Sequence, residues 1–404
     1  MTAKHVSQLD RFPILTVLLA TSVFFLPLVG RGAEGGTWAR KANMPTPPMG
    51  LSTAAVNGRI YALGGYPAGL GTAMTTVEAY DPQGDSWTMK AAMPNARVYF
   101  ACAVVDGKIY AIGGDRNALA NPLKAMDEYD PATDTWTRKA DMPTARWGLT
   151  GVALNGKIYV VGGFRTFGGV PLSVLEVYDP ATEAWQSKAA MPTARGLLCA
   201  CAVDGKLFAI GSSRPPSGPW LATVEMYDPL TDTWTRKANM PVGKGVSAAS
   251  TVHGLIYVVG GRSGSTGYST VEEYDPYTDR WTRRASMPGQ RFSLGTSEVN
   301  GRIYAIGGAS AIPDDVGLSL VHEYTPPVTA PTLKLKRVNN AHQSALRLEW
   351  KSRVDCFDLL QFKPELDADG WTDLDRFSGT GEVLAKEISR DGTSGLYRLQ
   401  RELR

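Results

Sequence analysis

The chain has 404 residues, long enough for two domains. Its 42 basic residues against 39 acidic ones leave a net charge of +3, which excludes a strong overall field that would draw nucleic acid or an anionic membrane. The 43 glycines and 26 prolines recur at regular intervals, so they mark turns rather than a disordered composition.

Lys4 and Arg11 precede an apolar run from Pro13 to Val29, and Gly30, Gly32 and Ala33 follow it. A basic flank, a short apolar run and small residues form the pattern of a secretory signal peptide, so residues 1–33 are expected to direct export and to be removed. The expected location is secreted, periplasmic or at the cell surface. An uncleaved anchor is the alternative, since the run only reaches the lower limit for a membrane span. No second run of this kind follows, and the mature chain is expected to contain no span.

Trp38, Trp87, Trp136, Trp185, Trp234 and Trp281 are separated by 49, 49, 49, 49 and 47 residues. A fixed period of that size signals a propeller, solenoid or array. Each copy breaks into four short strands. The first two, Leu149 to Leu154 and Lys157 to Gly163 in the third copy, are joined by a two-residue pair. These pairs are Asn57-Gly58, Asp106-Gly107, Asn155-Gly156, Asp204-Gly205, His253-Gly254 and Asn300-Gly301, which suit a tight hairpin turn. His253 accordingly reads as a turn residue and not as a ligand. The second strand ends in Gly-Gly, except at Gly211-Ser212, which predicts a looser fourth blade. The third strand ends in Tyr-Asp-Pro, with Tyr324-Thr325-Pro326 in the last copy, and the fourth begins with the tryptophan.

Gly-Gly after an apolar strand, then Tyr-Asp, then Trp, at this period, resembles the Kelch repeat. The resemblance implies an all-β, six-bladed propeller over residues 37–326. Trp38 stands before any first strand, and the sixth copy stops without a Trp strand, so residues 37–44 should complete the last blade and close the ring. The blades are expected at about 45–93, 94–142, 143–191, 192–240, 241–287, and 288–326 joined by 37–44. The six tryptophans read as packing between blades, each stabilising by at most about 4–6 kcal/mol if fully buried. A basic residue three positions after each of them (Lys41, Lys90, Lys139, Lys188, Lys237 and Arg284) would guard the outer strand edge. Cys102, Cys199, Cys201 and Cys356 do not make a disulfide framework and read as buried thiols.

Strand order separates two faces. The Met-Pro connections and the loops after Gly-Gly share one, called here the loop face; the hairpin and Asp-Pro turns share the other. The loops vary most in sequence, as binding surfaces on a rigid scaffold do, and they carry Tyr66, Phe164, Phe167, Trp220 and Tyr268. Arg97, Arg146, Arg195 and Arg291, with Lys244 in the fifth copy and Pro48 in the first, stand at the start of each first strand. Arginine offers a planar fork for carboxylate or phosphate. The resemblance to Kelch domains of ubiquitin-ligase adaptors implies that these arginines line a peptide pocket at the channel mouth; the alternative is that they bond carbonyls between blades. Candidate ligand-binding residues are therefore Arg97, Arg146, Arg195, Arg291, Lys244, Tyr66, Asp115, Phe164 and Arg262. Glu78, Asp127, Glu176, Glu225, Glu272 and His322, two residues before each third-strand tyrosine, read as structural partners of neighbouring blades.

No catalytic residue, metal site or cofactor motif stands out. Galactose-oxidase-like copper chemistry needs two histidine ligands, and His253 falls on the wrong face. Some secreted six-bladed Kelch proteins are sialic-acid mutarotases, and a sugar carboxylate would suit the arginine cluster, which makes that the enzymatic alternative. The leading expectation is a non-catalytic, monomeric scaffold that presents the loop face to a protein or glycan ligand. Pro327 to Pro331 read as a linker. Residues 332–404 alternate in short runs, a small β-sandwich-like module with Trp350, Trp371 and Tyr397 in its core. That module resembles C-terminal β modules of secreted bacterial proteins, which implies sorting, attachment or weak glycan contact.

Overall fold

The computed structural model describes residues 35–67, 72–116, 121–212, 220–310 and 317–327, together with the strands between 334 and 403. The expected signal segment 1–33, the rest of the linker beyond Pro327 and parts of four loops lie outside these residues. Two compact units divide at Pro326, residues 34–326 forming one of them.

That unit is built from six four-stranded antiparallel sheets. In the third, Thr150–Leu154, Lys157–Val161, Leu175–Asp179 and Ala184–Lys188 pair in chain order. The four strands meet different surroundings, which explains their sequences. Ile158, Val160, Leu175 and Tyr178 are fully buried because neighbouring blades cover both faces of the middle strands, and such strands read as nearly continuous apolar runs. The outer strand alternates exposed and half-buried residues because one face meets water. All six two-residue turns have both residues at positive φ, for example Asn155 at 52° and Gly156 at 72°, as a twist-matched hairpin requires. His253 sits in such a turn at φ 51°. The fourth blade is longer in its two middle strands: Lys206–Ser212 and Leu221–Asp228 continue pairing through Ser212 and Leu221 past a bulge. With no second glycine, its second strand extends where the others bend.

The ring closes through Thr37–Lys41, which pairs with Val321–Thr325 and sets Trp38 opposite Tyr324, as Trp136 stands opposite Tyr129 within the second blade. Each indole donates to an alanine carbonyl of the preceding blade: Trp87 to Ala42 (3.0 Å), Trp136 to Ala91 (2.9 Å) and Trp38 to Ala285 (2.9 Å). The tryptophans are half-buried, so burial contributes about half the full-burial bound, about 2–3 kcal/mol each. An aspartate completes the joint by accepting both from the next-door alanine amide and from the third-strand tyrosine. Asp85 takes Ala42 N (2.8 Å) and the Tyr80 hydroxyl (2.5 Å); Asp134, Asp232 and Asp279 repeat this. In the closing blade the Gly35 carbonyl stands in for the carboxylate, accepting from Ala285 N and the Tyr324 hydroxyl.

Blade three breaks this rule. Glu183 occupies the aspartate position, its carboxylate goes to Lys139 instead (2.8 Å), and the buried Tyr178 hydroxyl has no partner among the described residues. Glu183→Asp should restore the clip and raise stability by about 1 kcal/mol, read as a shifted denaturant midpoint at unchanged slope. An unchanged midpoint would show that the clip adds nothing.

Cys199 and Cys201 are buried, Cys102 is half-buried, and all three are free thiols. Burial pushes the Cys102 and Cys201 thiols up to about 12, which leaves them protonated and unreactive.

The second unit contains two three-stranded antiparallel sheets. One pairs Lys334–Asn340, Gln343–Lys351 and Val383–Ile388; the other pairs Thr372–Ser378, Cys356–Lys363 and Leu396–Leu403. The side chains of Cys356, Trp350, Trp371 and Tyr397 lie outside the described residues.

Candidate functional site

The five strand-start cations do not reach the channel mouth. Arg97, Arg146, Arg195 and Lys244 are wholly buried and Arg291 nearly so. Each side chain threads into its own blade. Arg146 donates to the carbonyls of Gly162, Val174 and Val160 (3.2 Å each) and to Glu176 Oε2 (2.9 Å). Arg195 repeats this with Ala209, Gly211, Thr223 and Glu225, and Arg97 with Gly113, Ala125 and Asp127. Lys244 bonds Thr270 Oγ1 (3.1 Å) and pairs with Glu272.

Asp127, Glu176, Glu225 and Glu272 are thus partners of their own blade's cation, and not of a neighbouring blade. A buried guanidinium is costly unless its donors are paired, and the ends of the second and third strands supply the carbonyls. Burial pushes Arg146, Arg195 and Arg291 down to about 10, which keeps them charged at neutral pH. In blade six the partner is His322 Nδ1 (3.0 Å from Arg291), held neutral because burial and then the Arg291 charge push its pKa down to about 4.

The four loop residues of the candidate set occupy one repeated position, the first after Gly-Gly. Single bridges tie Tyr66 to Met49, Asp115 to Val98, Phe164 to Trp147 and Arg262 to Gly245. Tyr66, Asp115 and Phe164 are buried by this pairing, which turns them under the connections, and Arg262 alone stays partly exposed. Its guanidinium lies 4.7 Å over the Phe292 ring.

The channel mouth is framed by backbone. Gly50, Tyr99, Gly148, Leu197, Val246 and Ser293 sit one per blade, all with φ between 47° and 66°. Each amide donates to the carbonyl of its counterpart in the preceding blade, from Tyr99 N to Gly50 O (2.9 Å) round to Gly50 N to Ser293 O (2.8 Å). The closed circle of six hydrogen bonds compensates a left-handed backbone that is unfavourable for leucine, tyrosine and above all β-branched valine. Sequence reading missed this ring, although its members recur at the tryptophan spacing.

Beneath it the channel is lined by small side chains such as Thr53, Cys102, Gly151, Ala200, Ala249 and Thr296 around a cavity of about 190 Å³. That is below the usual volume of a small-molecule pocket, about 300–1,000 Å³. Toward the turn face a space of about 410 Å³ opens beside Ala55, Val104, Ala153 and Glu298.

What the loop face offers to solvent is apolar and cationic. Phe167 is 71% and Val170 80% exposed, and Trp147 lies beneath Phe167 with ring centroids 6.5 Å apart. Arg116 and Arg165 are exposed nearby in their own loops, and Trp220 and Tyr268 are half-exposed.

Closed topology, six blades and the repeated cation–acid cage define the class as a six-bladed propeller closed by its N-terminal strand. Residues 139–308 match the "KLHDC2/KLHL20/DRC7 Kelch-repeats domain" family, and residues 47–94 and 96–143 each match the Kelch motif. The chain belongs to the Kelch repeat proteins. Among solved structures it is similar to one titled "Structure of YjhT", with a TM-score of 0.59 at 20% identity, covering 69% of this chain and 95% of that one. At that identity the likeness concerns fold alone. No curated protein matches the sequence.

Proposed function

We propose that the chain is a non-catalytic, monomeric scaffold of the cell exterior that holds a protein or glycan ligand on its loop face. The observation that carries this reading is the exposed apolar pair Phe167 and Val170 beside Arg165, in a loop mounted on buried Phe164 and Trp147. Large apolar side chains standing in water on a rigid support mark interaction sites, and arginine with aromatic neighbours is the usual composition of a binding hot spot. Kelch membership supports a binding role, and the apolar run from Pro13 to Val29 supports export.

A peptide-display selection and a glycan array, both run on the wild-type protein, test the reading. Binders recovered by either should lose at least tenfold in affinity for the double variant Phe167→Ser with Arg165→Ala, two exposed side chains, while its thermal unfolding stays unchanged. Binders indifferent to the double variant would remove the loop face as the site; the screen that yields them separates protein from glycan.

A further inference from the structure

Blade one carries the acid of the repeated cage without its cation. Pro48 occupies the backbone position of the buried arginines: its carbonyl accepts from Gly308 N (2.9 Å), as the Arg97 carbonyl does from Gly65 N (2.8 Å) and the Arg146 carbonyl from Gly114 N (3.0 Å). The rest of the cage is conserved in geometry. Gly64 N donates to Thr76 O at 2.9 Å as Gly113 N donates to Ala125 O at 3.0 Å, and in blade two the carbonyls of Gly113 and Ala125 hold the Arg97 guanidinium. Thr46 donates to Glu78 Oε1 (2.5 Å) as Thr144 does to Glu176 (2.7 Å). The pyrrolidine ring of Pro48 ends where an arginine would continue inward. Glu78 is 1% exposed, and its Oε2 has no hydrogen-bond partner among the described residues.

We propose that blade one binds a monovalent metal cation, potassium or sodium, between the Glu78 carboxylate and the carbonyls of Gly64 and Thr76. Three arguments carry it. A buried carboxylate oxygen without a partner is expensive, and an ion or a proton is what relieves it. The available donors are all oxygen, which suits hard cations. Blades two to five each set one buried positive charge against one carboxylate, the second cation on Asp127, Arg138, being half-exposed, so the charge-matched occupant of blade one is monovalent. Lys244 shows that this cage accepts a compact ammonium as readily as a guanidinium.

The test is thermal unfolding of the full chain at constant ionic strength while choline chloride is replaced stepwise by potassium or sodium chloride. The wild type should gain a few °C, because an ion that binds only the folded state stabilises it by mass action. Glu78→Gln should lose the response. Pro48→Arg should lose it too, while already melting higher in choline alone. Equal melting in all three salts, or an undiminished response in Glu78→Gln, would overturn the proposal. So would a wild type that ignores the ion and loses stability as pH rises, because burial raises the Glu78 pKa and that sign identifies a proton as the occupant.

Discussion

A chain that begins at Pro45 should fail to hold the ring. It loses the strand Thr37–Lys41 with its five-residue register against Val321–Thr325, the Trp38 indole bond to Ala285, and the Gly35 carbonyl that serves Ala285 and Tyr324. At about 1 kcal/mol per hydrogen bond and about 2–3 for the indole, the loss is about 5 kcal/mol or more. That is comparable to the whole stability of a typical domain, about 5–15 kcal/mol. The deletion also bares a paired edge at Val321–Thr325, and unpaired strand edges recruit other chains. The truncated protein should melt far below the full chain and elute as aggregate. A synthetic peptide spanning residues 34–44 should restore part of the melting temperature when added in excess. A truncated protein that melts like the parent would show that the ring is held elsewhere.

The ring was legible because its causes are local and repeated. Asn155-Gly156 dictates a hairpin by its own φ preferences, Asp179-Pro180 opens the next turn, and the missing Trp strand of the sixth copy forces closure by counting. The direction of a long side chain is not local in this way. Arg146 stands just before its blade's first strand, Thr150–Leu154, yet whether its guanidinium turns to solvent or into the blade depends on carbonyls 14 to 28 residues away. A usable signal was nevertheless present. Arg97, Arg146 and Arg195 each precede an acid by 30 residues, at Asp127, Glu176 and Glu225, a fixed spacing of opposite charges that recurs with the repeat.

The aromatic loop residues divide for a related reason. Tyr66 and Phe164 follow Gly-Gly directly and are pinned beneath the mouth by their bridges. Phe167, three residues further on, is past that constraint and reaches water. Gly35 as a substitute for an aspartate side chain could not be read at all, because a backbone carbonyl leaves no mark on residue identity.

Arg146→Ala should destabilise the propeller by about 3–5 kcal/mol, the usual cost of stripping one partner from a buried ion pair. The guanidinium takes four donors' worth of contacts with it, and Glu176, itself buried, keeps only Thr144 Oγ1 at 2.7 Å. The double variant Arg146→Met with Glu176→Leu should recover much of the loss, since removing both members leaves no buried charge. Arg262→Ala, by contrast, removes a partly exposed cation from above Phe292 and should cost no more than about 1 kcal/mol. Urea midpoints of the four proteins distinguish the two roles. If Arg146→Ala unfolds at the wild-type midpoint and instead loses affinity for a ligand of the loop face, the arginines belong to the pocket; a large loss of stability, repaired by the paired apolar substitution, places them in the frame that holds each blade together.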